Sequence, residues 1–221
     1  MSRGERTRRR ILDAAGALLA SRPGAVPSMS EVASGAGVSR QLLYVHFENR
    51  TALLLELSRL IDLQARTPEL QATIDNAPDA RAALRAAVRV QSVIKPKLHG
   101  VAASLELLRP VDEGAAAACQ EREDARLMRC RAVIERLADE RLLAPGWTTA
   151  EAAELFWSMT SLRAWEDLTC RAGWTNREWS QRTTDALEAA LVAGVDEPQR
   201  QRTTGSADSR SNLGSRPVSQ G

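Results

Sequence analysis

The sequence of 221 residues has few of the side chains on which disulfide frameworks and metal centres depend. Its three cysteines, Cys119, Cys130 and Cys170, are an odd number at wide spacings, so they cannot form a paired framework, and a cytoplasmic location is expected. The two histidines stand at no metal-ligand spacing, so no metal site is predicted. No apolar run approaches the roughly 18 residues of a membrane span, and no signal-peptide pattern follows the arginine-rich N-terminus, so no membrane partner is expected.

Catalytic constellations are also missing from the sequence. It has no glycine-flanked nucleophile of the strand-to-helix type and no G-x-x-x-x-G-K loop for phosphate, and its two histidines, His46 and His99, are far apart. The sequence therefore predicts neither an enzyme nor a bound cofactor.

Strand patterns are absent as well, since no segment alternates apolar and polar residues with a period of two. Alanine, leucine, glutamate and arginine instead recur at helical spacing from end to end, which predicts an all-α fold. Gly and Pro positions separate the expected helices, which lie near 5–20, 50–66, 79–95, 100–109, 115–143, 149–171 and 175–193.

The formal net charge of +2 conceals an uneven distribution. Residues 1–50 carry eight arginines against four acidic residues, whereas residues 51–198 carry 18 basic and 23 acidic residues. Residues 199–221 carry four arginines and one aspartate, in a stretch with few large aliphatic residues. A basic head and an acidic body indicate different partners, and residues 197–221 are expected to form a disordered tail.

The segment 28–50 carries the most specific pattern. Ser28 and Glu31 have the spacing of a capping box, so a short helix begins here, and Gly37 can adopt the positive φ of a sharp turn that ends it. Ser39 is placed to cap a second short helix, with Leu43 facing the core. Two short helices joined by a tight turn indicate a helix-turn-helix unit.

The residues of this unit resemble the DNA-binding head of the TetR (tetracycline-repressor) transcriptional regulators. The resemblance rests on VASGAGVS at 32–39, LYVHF at 43–47 and NR at 49–50, in this order and after an amphipathic first helix. The family commonly has Lys where Arg50 stands and a small residue where Leu42 stands. The resemblance implies a three-helix DNA-binding domain at 1–50, a connecting helix at 51–66, and a helical ligand-binding and dimerisation domain at 67–196.

Groove geometry and the resemblance together predict the contacts with double-stranded DNA. The helix from Ser39 to His46 should lie in a major groove, which admits an α-helix and distinguishes the base pairs. The base-reading residues are then Arg40, Gln41 and Leu42. By resemblance, the phosphate backbone is held by Ser28, Ser30, Tyr44, His46 and Arg50. His46 and Tyr44 have packing roles as an alternative.

The expected helix 149–171 is apolar on two opposite sides. One side can face the core, and the other needs a partner, which in the resembling family is a second copy of the chain. The predicted interface residues are Trp165, Leu168, Trp179, Leu187 and Leu191. For each tryptophan of this region, core, dimer and ligand positions remain open.

The resemblance also implies a homodimer on a palindromic operator and a small-molecule effector that releases the repressor from DNA. Polar or aromatic residues on inward faces supply the predicted ligand pocket: Gln91, His99, Glu106 and Trp157. The alternative is a DNA-binding adaptor of the same fold whose C-terminal domain binds a protein and no small ligand.

Overall fold

The computed structural model describes residues 2–22 and 24–193, and over these ranges the chain is helical without a strand. The predicted all-α class is confirmed. In chain order the helices are α1 (Arg3–Ser21), α2 (Met29–Ala36), α3 (Arg40–His46), α4 (Arg50–Gln64), α5 (Thr67–Asp75), α6 (Ala80–Leu108), α7 (Glu113–Asp139), α8 (Thr149–Met159), α9 (Leu162–Glu166) and α10 (Asn176–Leu191). The expected tail at 197–221 lies outside the described residues.

Two buried clusters form the interior. The first lies among α1 to α4, but it also contains Val101, Leu105 and Leu108 of α6 and the first turns of α7. The second lies among α5 to α10 and contains most of the remaining buried side chains. The long helices α6 and α7 contribute to both clusters, so they join the N-terminal helices to the rest of the chain. None of the helices in the described ranges is long and apolar enough to cross a membrane.

Helix α6 corrects the prediction of two separate helices at 79–95 and 100–109, because it runs unbroken through Pro96 and Gly100. Proline lacks the amide that would donate to the carbonyl four residues earlier, which is that of Ser92. The side-chain amide of Asn176 in α10 donates to this carbonyl instead, at 2.6 Å. Gly100 lies against α1, where an added Cβ would be 3.0 Å from the Cβ of Leu19. Glycine at this position therefore permits close helix packing and does not end the helix.

The predicted helix 149–171 is also not continuous. It ends as α8 at Met159, and Ser161 caps the short α9 by accepting the amide of Ala164. A π-helical turn at Asp167–Arg171 follows. The Thr160 hydroxyl, at the break, donates to the carbonyl of Phe156 and accepts from the buried Arg126 guanidinium.

The sequence does not predict α5, because Pro68 is expected to separate two helices. Proline in the first turn of a helix is tolerated, since the amides there have no intrahelical partner. Pro68 occupies such a position in α5. The remaining predicted helices lie within a few residues of α1, α4, α7 and α10.

Candidate functional site

The turn between α2 and α3 has the predicted geometry. Ser28 and Glu31 form the capping box, with the Ser28 amide donating to Glu31 at 2.8 Å and the Glu31 amide donating to the Ser28 hydroxyl at 3.2 Å. These bonds and the Arg22 guanidinium lower the pKa of Glu31 to about 2. Gly37 has a φ of 61°, and Arg10 of α1 donates to the carbonyls of residues 36 and 37. Local caps and Arg10 of α1 thus fix the turn that leads into α3.

Helix α3 presents an exposed polar face. Arg40 and Gln41 are exposed in its first turn, and Leu42 is 39% exposed. The Arg40 guanidinium lies 5.7 Å from the centre of the Tyr44 ring, which holds the arginine along the helix surface. Val45 is 74% exposed, and it shares the face of Gln41 because it follows four residues later. Val45 was not predicted as a base-contacting residue, although this spacing could have indicated it.

The residues predicted to hold phosphate lie around this face. Ser28 and Ser30 are exposed at the start of α2, while His46 and Arg50 are half-buried at the end of α3 and the start of α4. Arg8 donates to the His46 carbonyl at 3.0 Å, and its guanidinium lies 4.4 Å from the centre of the buried Phe47 ring. Arg8 therefore braces the C-terminus of α3.

Two hydrogen bonds link α4, which follows the head, to α7 of the body. The buried Thr51 hydroxyl donates to Asp112 at 2.9 Å, and the same carboxylate caps α7 by accepting the amide of Ala115 at 2.8 Å. These bonds lower the pKa of Asp112. Further along the same two helices, the Arg122 guanidinium of α7 donates to the buried Ser58 hydroxyl of α4 at 2.6 Å. These bonds join α7 to α4, which directly follows α3.

A small cavity lies between α5, α6, α7 and α8, with a volume of about 20 Å³. Gln91, one of the four predicted pocket residues, lines this cavity together with Arg126 and Phe156. Trp157 contacts Arg126 in two ways. The Trp157 carbonyl accepts a hydrogen bond from the Arg126 guanidinium, and this guanidinium lies 5.0 Å from the centre of the Trp157 ring. Sequence reasoning did not single out Arg126, which is 6% exposed.

The other two predicted pocket residues are placed elsewhere. His99 makes a 2.7 Å contact with Glu166 and packs edge-on against the Trp165 ring, so it links α6 to α9. Glu106 is exposed, 3.4 Å from the Arg109 guanidinium. The structure therefore places Gln91 at the cavity and Trp157 against Arg126 beside it, and it brings neither His99 nor Glu106 there.

The predicted dimer residues need correction. The core of the same chain buries Trp165, Trp179, Leu187 and Leu191, and only Leu168 is half-buried. Trp179 is 0% exposed because it projects from the inner face of α10 into the second cluster. These side chains are therefore not available to a partner chain, and the outer face of α10 carries Ala186 and Ala189 instead.

Residues 11–57 match the family model of the bacterial regulatory proteins of the tetR family. Among solved structures, a transcriptional regulator from Saccharomonospora viridis in complex with choline shares 20% identity at a TM-score of 0.72, covering 86% of this chain and 100% of that one. NalD, the secondary repressor of the MexAB-OprM multidrug efflux pump in Pseudomonas aeruginosa, shares 22% identity at a TM-score of 0.60, covering 86% and 98%.

SmeT, the repressor of the Stenotrophomonas maltophilia multidrug efflux pump SmeDEF, shares 20% identity at a TM-score of 0.62, covering 87% of this chain and 94% of that one. No curated protein matches the sequence. The resemblance predicted from the segment 32–50 is confirmed by the family match.

Proposed function

We propose that this chain, a DNA-binding transcriptional regulator whose residues 11–57 carry the domain of the tetR family, is a homodimeric repressor released from a palindromic operator by a small molecule. The observation that carries the proposal is the exposed first turn of α3, where Arg40 and Gln41 project from a helix whose orientation is fixed from both ends. Two such helices, related by a two-fold axis, would read half-sites about 34 Å or more apart.

Base reading in this proposal depends on Arg40 and Gln41, and phosphate binding depends on Arg50. Arginine pairs with guanine and glutamine with adenine in the major groove, each pair contributing about 1–3 kcal/mol of discrimination. Arg40→Ala and Gln41→Ala should each relax sequence preference at particular operator positions. Arg50→Ala should instead weaken binding to all sequences alike and reduce the salt dependence.

The experiment is a genomic DNA pull-down with the purified full chain, followed by binding titrations on the recovered operator. Arg131→Ala is the matched control, because Arg131 is an exposed arginine of α7 in the body. Equal loss of affinity on every sequence for Arg40→Ala, Gln41→Ala and Arg50→Ala would contradict the assignment of base readers.

Repression and release are supported by the relatives and by the links between cavity and head. NalD and SmeT are repressors, and the S. viridis protein was solved in complex with choline. In this chain Arg126 of the cavity is on the same helix as Arg122, which bonds Ser58 of α4. A ligand that displaces α7 would thereby move the recognition helix, and a coupling of about 1–3 kcal/mol would change DNA affinity by about 5–150-fold.

Dimerisation is proposed through the outer faces of α8 and α10. The small exposed side chains of Ala186 and Ala189 would let a second α10 approach closely, and the buried Trp179 fixes the position of α10 on the core. Ala189→Arg should yield monomers in sedimentation while the circular dichroism spectrum stays helical. Arg177→Ala, an exposed change in the first turn of α10, serves as the control.

The adaptor alternative predicts different behaviour towards ligands. A small molecule at 100 times its Kd should stabilise the folded protein by about 2.7 kcal/mol, which a thermal-shift panel of metabolites and drugs would detect. If no compound stabilises the protein while a protein partner co-purifies with it, release by a small molecule is refuted and the adaptor is favoured.

A further inference from the structure

The cavity in the body is surrounded by an excess of positive charge. Lys95 and Arg126 are each 6% exposed. The guanidinium groups of Arg122 and Arg129 lie close enough to interact electrostatically with this pair, and the acidic groups facing the cluster are Glu123 and Asp62. Four basic side chains therefore face two acidic ones.

Only one of the two buried cations has an anionic partner. Arg126 contacts the Glu123 carboxylate at 2.6 Å, while its Nε is buried without a hydrogen-bond partner. Within the described ranges, Lys95 makes no hydrogen bond or ion pair. Burial and the charge of Arg126 lower the pKa of Lys95 to about 7. A largely buried lysine without an ion pair is costly to fold, so its presence at this point needs an explanation.

The position of Lys95 connects it with the cavity. Lys95 follows Gln91 by one turn of α6, and both Arg126 and Cys130, its electrostatic neighbours, line the cavity. The walls also include the apolar Ile74, Val133 and Phe156, together with the polar Gln71 and Thr160. The present volume of about 20 Å³ holds roughly one water molecule, so a ligand must displace wall side chains to enter.

We infer that the effector is an organic anion, whose carboxylate or phosphate group is held between Lys95 and Arg126 while its apolar part packs against Phe156 and Val133. The inference rests on the proposed function, because it names the chemical class of the ligand that releases the repressor. The anion would pair the Lys95 ammonium and accept from Arg126 Nε. Choline, which occupies the S. viridis protein, has the opposite charge and would be repelled.

The test uses matched probes that differ only in charge. Acetate, hexanoate, decanoate and benzoate are compared with the corresponding neutral amides, with phenyl phosphate as the phosphate probe and choline as the cation, by thermal shift and calorimetry. At least one anion should bind and its amide should not. Lys95→Met and Arg126→Met should each weaken the anion about tenfold or more, because a hydrogen bond to a charged group is lost.

The chain contains a matched control for the lysine, since Lys97 is its only other lysine and is exposed on the same helix. Lys97→Met should leave anion binding unchanged. Arg126→Lys keeps the charge, so it tests the site even where Arg126→Met fails to fold. The inference is overturned if an anion and its amide bind equally, if Lys95→Met binds the anion with the affinity of the wild type, or if no anion binds.

Failure of this inference is distinguishable from failure of the proposed function. If a neutral or cationic compound releases the operator, release by a small molecule stands and the anionic class is wrong. If a carboxylate binds through Lys95 but leaves operator affinity unchanged, the site is correct and its role in release is wrong.

Discussion

Replacing the buried Lys95 by methionine should stabilise the protein, and the gain should depend on pH. Burial, together with the neighbouring charge of Arg126, lowers the pKa of Lys95 from 10.5 to about 7. Below pH 7 both the folded and the unfolded chain carry this charge, and the folded chain bears the full cost of burying it. The difference of about 3.5 between the two pKa values corresponds to a cost of about 4–5 kcal/mol in the free energy of unfolding at pH 6.

The sign of the pH dependence follows from proton binding. Between pH 7 and pH 10.5 the unfolded chain holds a proton on this lysine and the folded chain releases it, so the free energy of unfolding of the wild type rises with pH. By pH 9 the cost has fallen to about 2 kcal/mol. Methionine has no charge to bury, so Lys95→Met should gain about 4–5 kcal/mol at pH 6 and about 2 kcal/mol at pH 9.

The assay is urea unfolding between pH 6 and pH 9, at one protein concentration, in buffers free of carboxylate and phosphate. The upper limit avoids the thiols, because burial raises the pKa of Cys119 and of Cys130 to about 11 and would lower stability at higher pH. Lys97→Met should change the free energy of unfolding by less than about 0.5 kcal/mol at every pH. Parallel curves for the wild type and Lys95→Met would refute a buried charge at residue 95.

Three further predictions concern the fold around the head and the body. Gly37→Ala should lower the free energy of unfolding, measured by chemical denaturation, by about 1–2 kcal/mol, because φ is 61° and an added Cβ would lie 3.1 Å from Arg10. Gly4→Ala in α1, where an added Cβ would meet no atom closer than 3.9 Å, should not lower it. Trp179→Ala should lower the free energy of unfolding by about 3–5 kcal/mol, because it leaves a cavity in the core. Loss of the dimer without loss of thermal stability would contradict the placement of Trp179 in the core. Thr51→Val should remove the hydrogen bond to Asp112 and raise the rate of amide hydrogen exchange at the start of α4. An unchanged exchange rate would show that this bond does not join α4 to α7.

The helix-turn-helix was predictable because short-range rules decide it. The caps at Ser28 and Ser39 and the turn at Gly37 each depend on residues at most a few positions away, and all have the predicted geometry. The family resemblance rests on the same stretch, which is why it too could be established from the sequence.

The body was less predictable because distant residues decide it. Helix α6 continues through Pro96 only because Asn176, 84 residues away in the sequence, bonds the free carbonyl. The positions that line the cavity depend in the same way on how α7 and α8 meet. One local signal was available: Lys95 falls on the stripe of α6 that Val88 and Leu98 occupy, where an apolar residue is expected.

The contact between Gly100 and Leu19 sets how α6 can move relative to the head. A Cβ at residue 100 would lie 3.0 Å from the Cβ of Leu19, so any larger residue here would push α6 away from α1. Lys95 lies only about 8 Å along the helix axis from this contact, on the same continuous rod. On the other side of Lys95, near the middle of α6, the helix is held to α10 by the bond between Ser92 and Asn176. Lys95 therefore lies on the short stretch of α6 between its close approach to α1 at Gly100 and its bond to α10 at Ser92.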